Sequence, residues 1–262
     1  MFREERTMGI ELKTKEEIAL MREAGRLVAR TFQELEKAVQ PGVKLSELDQ
    51  IAAEFIEKNG AQQIYKGYRL TPHHTPFPGV ITTAVNDVIC HGIPDGRVLK
   101  EGDIVGIDIG LSLNGWCGDS CVTYAVGKIS PLAQKLMNVA KEALYVGIQA
   151  ALPNRRVSDI GAAIEAYVKR QGFSVVREWG GHGLGRTLHE EPSVPHWGPG
   201  GRGIRLRPGM TIAIEPMVNV GKPDSLVLDD GWTVVTADGS LSAQFEHSIA
   251  ITEKGPEILT LP

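Results

Sequence analysis

The chain has 262 residues, 42% of them hydrophobic and 23% charged, with a net charge of −4. That composition suits a globular protein with a substantial core and excludes a chain drawn to nucleic acid or to an anionic membrane by its overall charge. No apolar run approaches the roughly 18 residues of a membrane span, and Cys90, Cys117 and Cys121 supply neither a disulfide framework nor a CxxC zinc pair. The charged start, MFREERTMGIELKTKEE, lacks the apolar segment of a secretory signal, and together with the cysteine usage this predicts a reduced, cytoplasmic protein.

In chain order, the first predicted element is an amphipathic helix over KEEIALMREAGRLVARTFQELEKAV. A second helix follows in PGVKLSELDQIAAEFIEKNGA. Ser46 is read as its cap, Glu47 lies at its positive end, Leu48, Ile51, Ala52 and Phe55 share one face, and Gly60 stops it. Strand-like VICHGIPDG then presents His91. VGIDIGLSLNGWCGDS reads as a β-hairpin, with Asp108 inside its first apolar run and Asp119 near the start of its second arm. Ser130 and Pro131 open another amphipathic helix, SPLAQKLMNVAKEALYVGIQAAL. PNRRVSDIGAAIEAYVKRQGF repeats the second helix, with Ser158, Asp159, Ile160, Ala163, Ile164, Tyr167 and Gly172 in matching places. The short strand FSVVREW leads to His182 and His189 in EWGGHGLGRTLHEEP. GMTIAIE repeats GDIVGID, so Glu215 matches Asp108, and the alternating strand LSAQFEHSIAIT carries Glu246.

These matches recur in the same order, which predicts an internal duplication, roughly 15–127 and 128–262, within a single domain spanning 1–262. Neither half can cover its own sheet, so the expected fold is α+β, with strands of both halves meeting centrally and helices outside. Asp108, Asp119, Glu215 and Glu246 then converge near the pseudo-twofold axis. Taken singly, each has an ordinary reading. Asp119 could be a turn residue after Gly118, Asp108 and Glu215 could end strands, Glu246 could face solvent, and His182 and His91 could be hydrogen-bonded loop histidines. As a set, four buried carboxylates must either protonate or bind cations. An oxygen-rich site with one imidazole suits two divalent ions drawn from Mn, Fe(II), Co or Zn.

The motifs CHGIPD, GDIVGIDIG, GWCGDS, GHGLGRTLHEEP, TIAIEPM and SAQFEHSIAIT lie in one order along nearly the whole chain. Together they resemble the type I methionine aminopeptidases, bacterial in type, of the pita-bread fold and the M24 metallopeptidases. The short N-terminus leaves no room for the extra domain of prolidases or the zinc-binding extension of eukaryotic cytosolic forms, and no long insert separates His189 from Glu215. The resemblance implies a central, mainly antiparallel sheet and five metal ligands, Asp108, Asp119, His182, Glu215 and Glu246, with Asp119 and Glu246 bridging. It implies a dinuclear metal-activated hydroxide that removes the N-terminal methionine of nascent chains, with small second residues preferred. Glu215 would relay the proton, His189 would steady the oxyanion and His91 would contact the scissile nitrogen. Tyr65, Tyr68, Phe77, Thr82, Leu188 and Trp232 would line the methionine pocket. The implied partners are nascent polypeptide N-termini, with the ribosome exit a candidate meeting place and the protein a monomer. RLTPHHTP is an insertion relative to the family, and Leu188 and Thr82 stand where an aromatic and Cys are common. His73 and His74 are expected to be solvated. Two other readings stand beside this one: a small Xaa-Pro dipeptidase, and a non-catalytic module binding peptides or ribosomes.

Overall fold

Residues 9–262 are described by the structure, a computed structural model. The first eight residues, which begin the segment read as lacking a secretory signal, lie outside the described residues. The first half runs α1 (Lys15–Glu36), α2 (Leu45–Lys58), β1 (Gln62–Gln63), β2 (Thr82–Val85), β3 (Val88–Cys90), β4 (Ile104–Leu113) and β5 (Trp116–Ala125). The second runs α3 (Pro131–Ala150), α4 (Val157–Arg170), β6 (Ser174–Val175), β7 (Gly181–Gly183), β8 (Glu190–Val194), β9 (Thr211–Ile214) and β10 (Met217–Asn219). It ends with β11 (Ser225–Val227), β12 (Val234–Thr236), β13 (Ser242–Gln244), β14 (His247–Thr252) and β15 (Gly255–Ile258). The order of two helices followed by strands occurs twice, and every pairing among the described strands is antiparallel.

Local chemistry explains most helix ends. Thr14 Oγ1 accepts from Glu17 N at 3.2 Å while the Glu17 carboxylate accepts from Thr14 N at 2.9 Å, a reciprocal cap on α1. Ser130 caps α3 as expected, accepting from Ala133 N at 3.1 Å. Ser46 and Ser158 do not cap α2 and α4, whose N-caps are Lys44 and Arg156, two residues earlier. The reason is tertiary. Lys44 and Arg156 are held extended by β-bridges to Val98 and Arg205, which fixes where each helix begins. Glu47 and Asp159 still serve the positive ends, accepting from the N–H groups of Lys44 and Arg156. Ser158 instead bonds the backbone of Arg202.

Each half has its own apolar layer. Leu27, Val28, Leu48 and Ile56 of the first helix pair pack on Ile107 and Ile109 of β4. Leu136, Ala140, Ile160 and Ile164 of the second pair pack on Ile212, Ile214 and Ile249. β4 and β5 pair from Ile104↔Ala125 to Leu113↔Trp116, and β9 pairs with β14. The halves join where β3 pairs with β12 and where β5 meets the segment between β13 and β14. Glu246 N–H donates to Cys121 O at 2.9 Å. Around it, hydroxyls take the place of a ladder: Ser120 to Glu246 O, Thr123 to Gln244 O at 2.6 Å and Ser248 to Asp119 O at 2.6 Å. Among the described residues, no helix is long and apolar enough to cross a membrane.

Helix α1 sits directly on β5 at Gly118, where a Cβ would lie 2.8 Å from the backbone of Ala24 and Gly25. Overpacking of this kind costs about 1–3 kcal/mol. Gly118→Ala should therefore lower Tm by about 2–12 °C, taking about 2–4 °C per kcal/mol for a domain of this size. Gly96→Ala, where nothing lies within 4 Å, should leave Tm unchanged. Calorimetry of the two variants checks the contrast.

Candidate metal centre and active site

Asp108 stands in β4 opposite Cys121, and Asp119 stands in β5 opposite Gly110. Glu215 follows the last residue of β9, and Glu246 immediately precedes β14. His182 occupies the middle of β7, which pairs with β9. Hairpins of the two halves thus deliver two acids each, and the second half adds the imidazole. Ligand atoms of Asp119, His182 and Glu246 lie within 4.8 Å of one another. His182 Nε2 is 3.5 Å from both Asp119 Oδ2 and Glu215 Oε1. Tyr65 hydroxyl sits 2.7 Å from Asp108 Oδ1 and 2.7 Å from Asp119 Oδ1. A phenol has one proton, so only one of these contacts can be donated by Tyr65. The other requires a proton on a carboxyl.

The electrostatics agree. Burial, reinforced by the neighbouring acids, pushes Asp108 and Glu246 well above the usual carboxylate range. Burial lifts Glu215 to about 8, against the pull of His182. Burial opposes a charge on His182, yet its Asp119 contact and the charges of Glu215 and Asp119 outweigh it and hold the ring at about 9. His182 Nδ1 lies 2.9 Å from Gly183 O and donates its proton there, which leaves Nε2 as the ring atom facing the acids. Glu246 Oε1 is buried without a hydrogen-bond partner. An orphaned carboxylate oxygen, three carboxyls pushed towards neutrality and an imidazole held charged among them are the condition a divalent cation relieves. The donor set, four carboxyl groups and one imidazole, fits such an ion.

Every candidate ligand, catalytic residue and pocket residue expected from the sequence lines one cavity of about 380 Å³: the five candidate ligands, His91, His189, Tyr65, Tyr68, Phe77, Thr82, Leu188 and Trp232. Tyr65, Phe77, Leu188 and Trp232 form a buried apolar cluster. Tyr65 does more than line it, because its hydroxyl reaches the acids. His91 follows β3 with φ of 57°, a left-handed conformation uncommon outside glycine. Its Nδ1 is buried and unpartnered, and its ring meets Trp179 edge-on at 4.9 Å. His189 Nδ1 lies 2.7 Å from the Tyr68 hydroxyl. Burial pushes both His91 and His189 down to about 4, so both rings are neutral near pH 7.

Several contributors carried no signal in the sequence. Gln244 Nε2 donates to Glu215 Oε2 at 3.2 Å, and Glu215 N–H donates to His196 Nε2 at 3.2 Å. Met217, Trp179 and Leu70 also line the cavity. Lys13, 5% exposed, donates to Glu190 at 2.8 Å, and Glu190 accepts from Thr187 N–H at 3.2 Å, which braces the loop carrying Leu188 and His189. His73 is exposed as expected, whereas His74 is half-buried against Trp232 at 4.4 Å. The solvated reading of His74 fails because the loop folds back onto the pocket wall.

An α+β chain whose twin hairpins bring buried carboxylates and an imidazole to the floor of an apolar cavity has the construction of a metallopeptidase. The profile of metallopeptidase family M24 matches residues 19–253, and the chain belongs to that family. It is 54% identical to methionine aminopeptidase 1 of Bacillus subtilis over 95% of this chain and 98% of that one. It is 48% identical to methionine aminopeptidase of Clostridium perfringens over 95% of this chain and 98% of that one. A solved structure of methionine aminopeptidase from Rickettsia prowazekii superimposes with a TM-score of 0.93 at 40% identity, covering 96% of this chain and all of that one.

For Asp108, Glu215 and Glu246 the folded pKa lies above the unfolded one. Their contribution is thus present at acid pH and lost as pH rises through the raised values. The lowered histidines His91 and His189 contribute the opposite trend below about pH 6.5, so chelator-treated protein should lose stability between about pH 6.5 and pH 8. A divalent cation at about a hundred times its Kd adds about 2.7 kcal/mol. It should raise Tm by about 5–10 °C near pH 7.5, and by less near pH 5. Thermal melts with and without cation check this, and equal gains at both pH values would contradict the buried-carboxyl account.

Proposed function

We propose that the chain is a type I methionyl aminopeptidase that removes the N-terminal methionine from nascent proteins and peptides. It works as a single catalytic domain of two pseudo-repeated halves. The observation that carries this reading is the convergence of four buried carboxyls and the half-buried His182 beneath an apolar cavity, in a chain matched over 95% of its length by a methionine aminopeptidase. Asp108, Asp119, His182, Glu215 and Glu246 would hold two divalent ions, and Mn, Fe(II), Co and Zn all suit these donors. When bound, such ions supply Lewis acidity that lowers the pKa of water from 15.7 to about 7.

The chain's own residues do the rest. Phe77, Leu188 and Trp232 wall the pocket for the methionine side chain, with Thr82 and Tyr68 beside them. Glu215, oriented by Gln244, takes up the proton of the attacking water and returns it to the departing amine. Tyr68 is kept protonated by burial and donates to His189 Nδ1. The His189 proton is then on Nε2, available to the developing oxyanion. His91, neutral and with a free Nδ1, contacts the nitrogen of the scissile bond. A chain interior has no free α-amine to place beside Asp108, which makes the activity an exopeptidase. The mouth favours small second residues. We infer that the protein works in the cytoplasm as a monomer, meeting N-termini as they leave the ribosome.

Protein reconstituted with Mn, Fe(II) or Co should cleave Met-Ala-Ser, lose that activity in EDTA and regain it on adding metal. Turnover of an Ala-Pro peptide in its place would favour the Xaa-Pro dipeptidase reading. Asp108→Asn should cut kcat/KM at least about 100-fold with the fold retained. His91→Ala should cut kcat by about 100-fold while metal content, measured by mass spectrometry, stays as in the parent.

A further inference from the structure

The excursion Arg69–Pro76 is a folded element. Its base is closed by Gly67 N–H to Phe77 O at 2.8 Å and Phe77 N–H to Tyr68 O at 2.9 Å. Thr71, Pro72, His73 and His74 make a β-turn, with His74 N–H donating to Thr71 O at 3.0 Å and proline presetting the second position. The Arg69 guanidinium donates to His74 O.

The far side of this loop rests on Trp232. Thr75 O accepts the indole N–H at 2.9 Å. The His74 ring meets the indole edge-on at 4.4 Å, and its Nε2 lies 3.0 Å from Gly231 O. Phe77, just beyond the loop, meets the same indole at 5.2 Å. Trp232 is thereby fixed from several directions by residues of the excursion or next to it, and it is 5% exposed. Leu70 is 50% exposed and lines the same cavity. A leucine left in water at a cavity mouth gains when a bound chain covers it.

We propose that Arg69–Pro76 is a specificity element of the methionine site. His74 and Thr75 hold the Trp232 indole as a fixed wall against the methionine side chain, and Leu70 covers the residue that follows it. The inference rests on the methionyl aminopeptidase reading and names part of that same site. His74 is a positioning residue, because it touches Trp232 and Gly231, whereas Leu70 contacts substrate. A fixed wall matters because one methylene in an apolar pocket separates substrates only about 10–200-fold, and a wall that yields forfeits that margin.

The test is steady-state kinetics on Met-Ala-Ser, Leu-Ala-Ser and methioninamide. Wild-type turnover of Met-Ala-Ser comes first, and its absence would defeat the underlying reading whatever the loop does. With the wild type active, His74→Ala should raise KM for Met-Ala-Ser about fivefold with kcat within about twofold, and narrow the preference for Met over Leu about tenfold. His74→Phe, which keeps a ring against the indole, should recover most of that preference. Leu70→Ala, at an exposed position that leaves the fold intact, should raise KM for Met-Ala-Ser about threefold and leave methioninamide unchanged. His73→Ala, a change at an exposed side chain, should match wild type. Wild-type KM values and preference in both His74→Ala and Leu70→Ala would overturn the proposal. So would a fall in kcat at unchanged KM in His74→Ala.

Discussion

The whole arrangement depends on one electrostatic constraint: carboxyl groups of both halves are buried around the His182 imidazole, and among the described residues no lysine or arginine lines their cavity. Asp108, Asp119, Glu215 and Glu246 are each under a tenth exposed. Left to themselves they repel, and burial denies them water. The protein answers with partial measures, a phenol shared by Asp108 and Asp119, an amide on Glu215 and an imidazole between Asp119 and Glu215. Glu246 Oε1 receives nothing. The incompleteness is informative, because a fold that needed these acids only as structure would have satisfied them all.

That cluster can persist because the backbone around it is heavily tied. Asp119 and Glu246 belong to opposite halves, yet the peptide groups beside them are linked by Ser120, Ser248 and Thr123 through hydroxyl-to-carbonyl bonds. Such bonds set two strands side by side without a ladder, leaving carboxylates to face one another. The close seat of α1 on Gly118, next to Asp119, adds a steric clamp on the same strand. Stability and function therefore share residues here, and changes beside the acids will move both.

Much of this was legible in the sequence. The helices follow from apolar spacing, and Asp108 was conspicuous because it interrupts a run, IVGIDIGL, that is otherwise buried throughout β4. Repetition of GDIVGID as GMTIAIE pairs Asp108 with Glu215 in the sequence itself. The caps of α2 and α4 were misread because bridges from Lys44 to Val98 and from Arg156 to Arg205 set those helix starts, and neither partner is near in sequence. Gln244, Met217 and Trp179 escaped notice since nothing local marks them, and their significance arises only when distant strands meet. His74 was misjudged for the same reason: in the chain it is one of two adjacent histidines amid prolines, and only folding sets it against Trp232.

Lys13 lies two residues before the first helix, its ammonium sunk against Glu190 and its N–H on Gly209 O at 2.7 Å. Through Glu190 it reaches Thr187 and so the turn that presents His189. The leading segment is thus a strut of the reaction chamber. A shortened or fused variant that dislodged it would be expected to keep its global fold while presenting as a sluggish catalyst, so the placement of affinity handles on this protein is a choice about its chemistry.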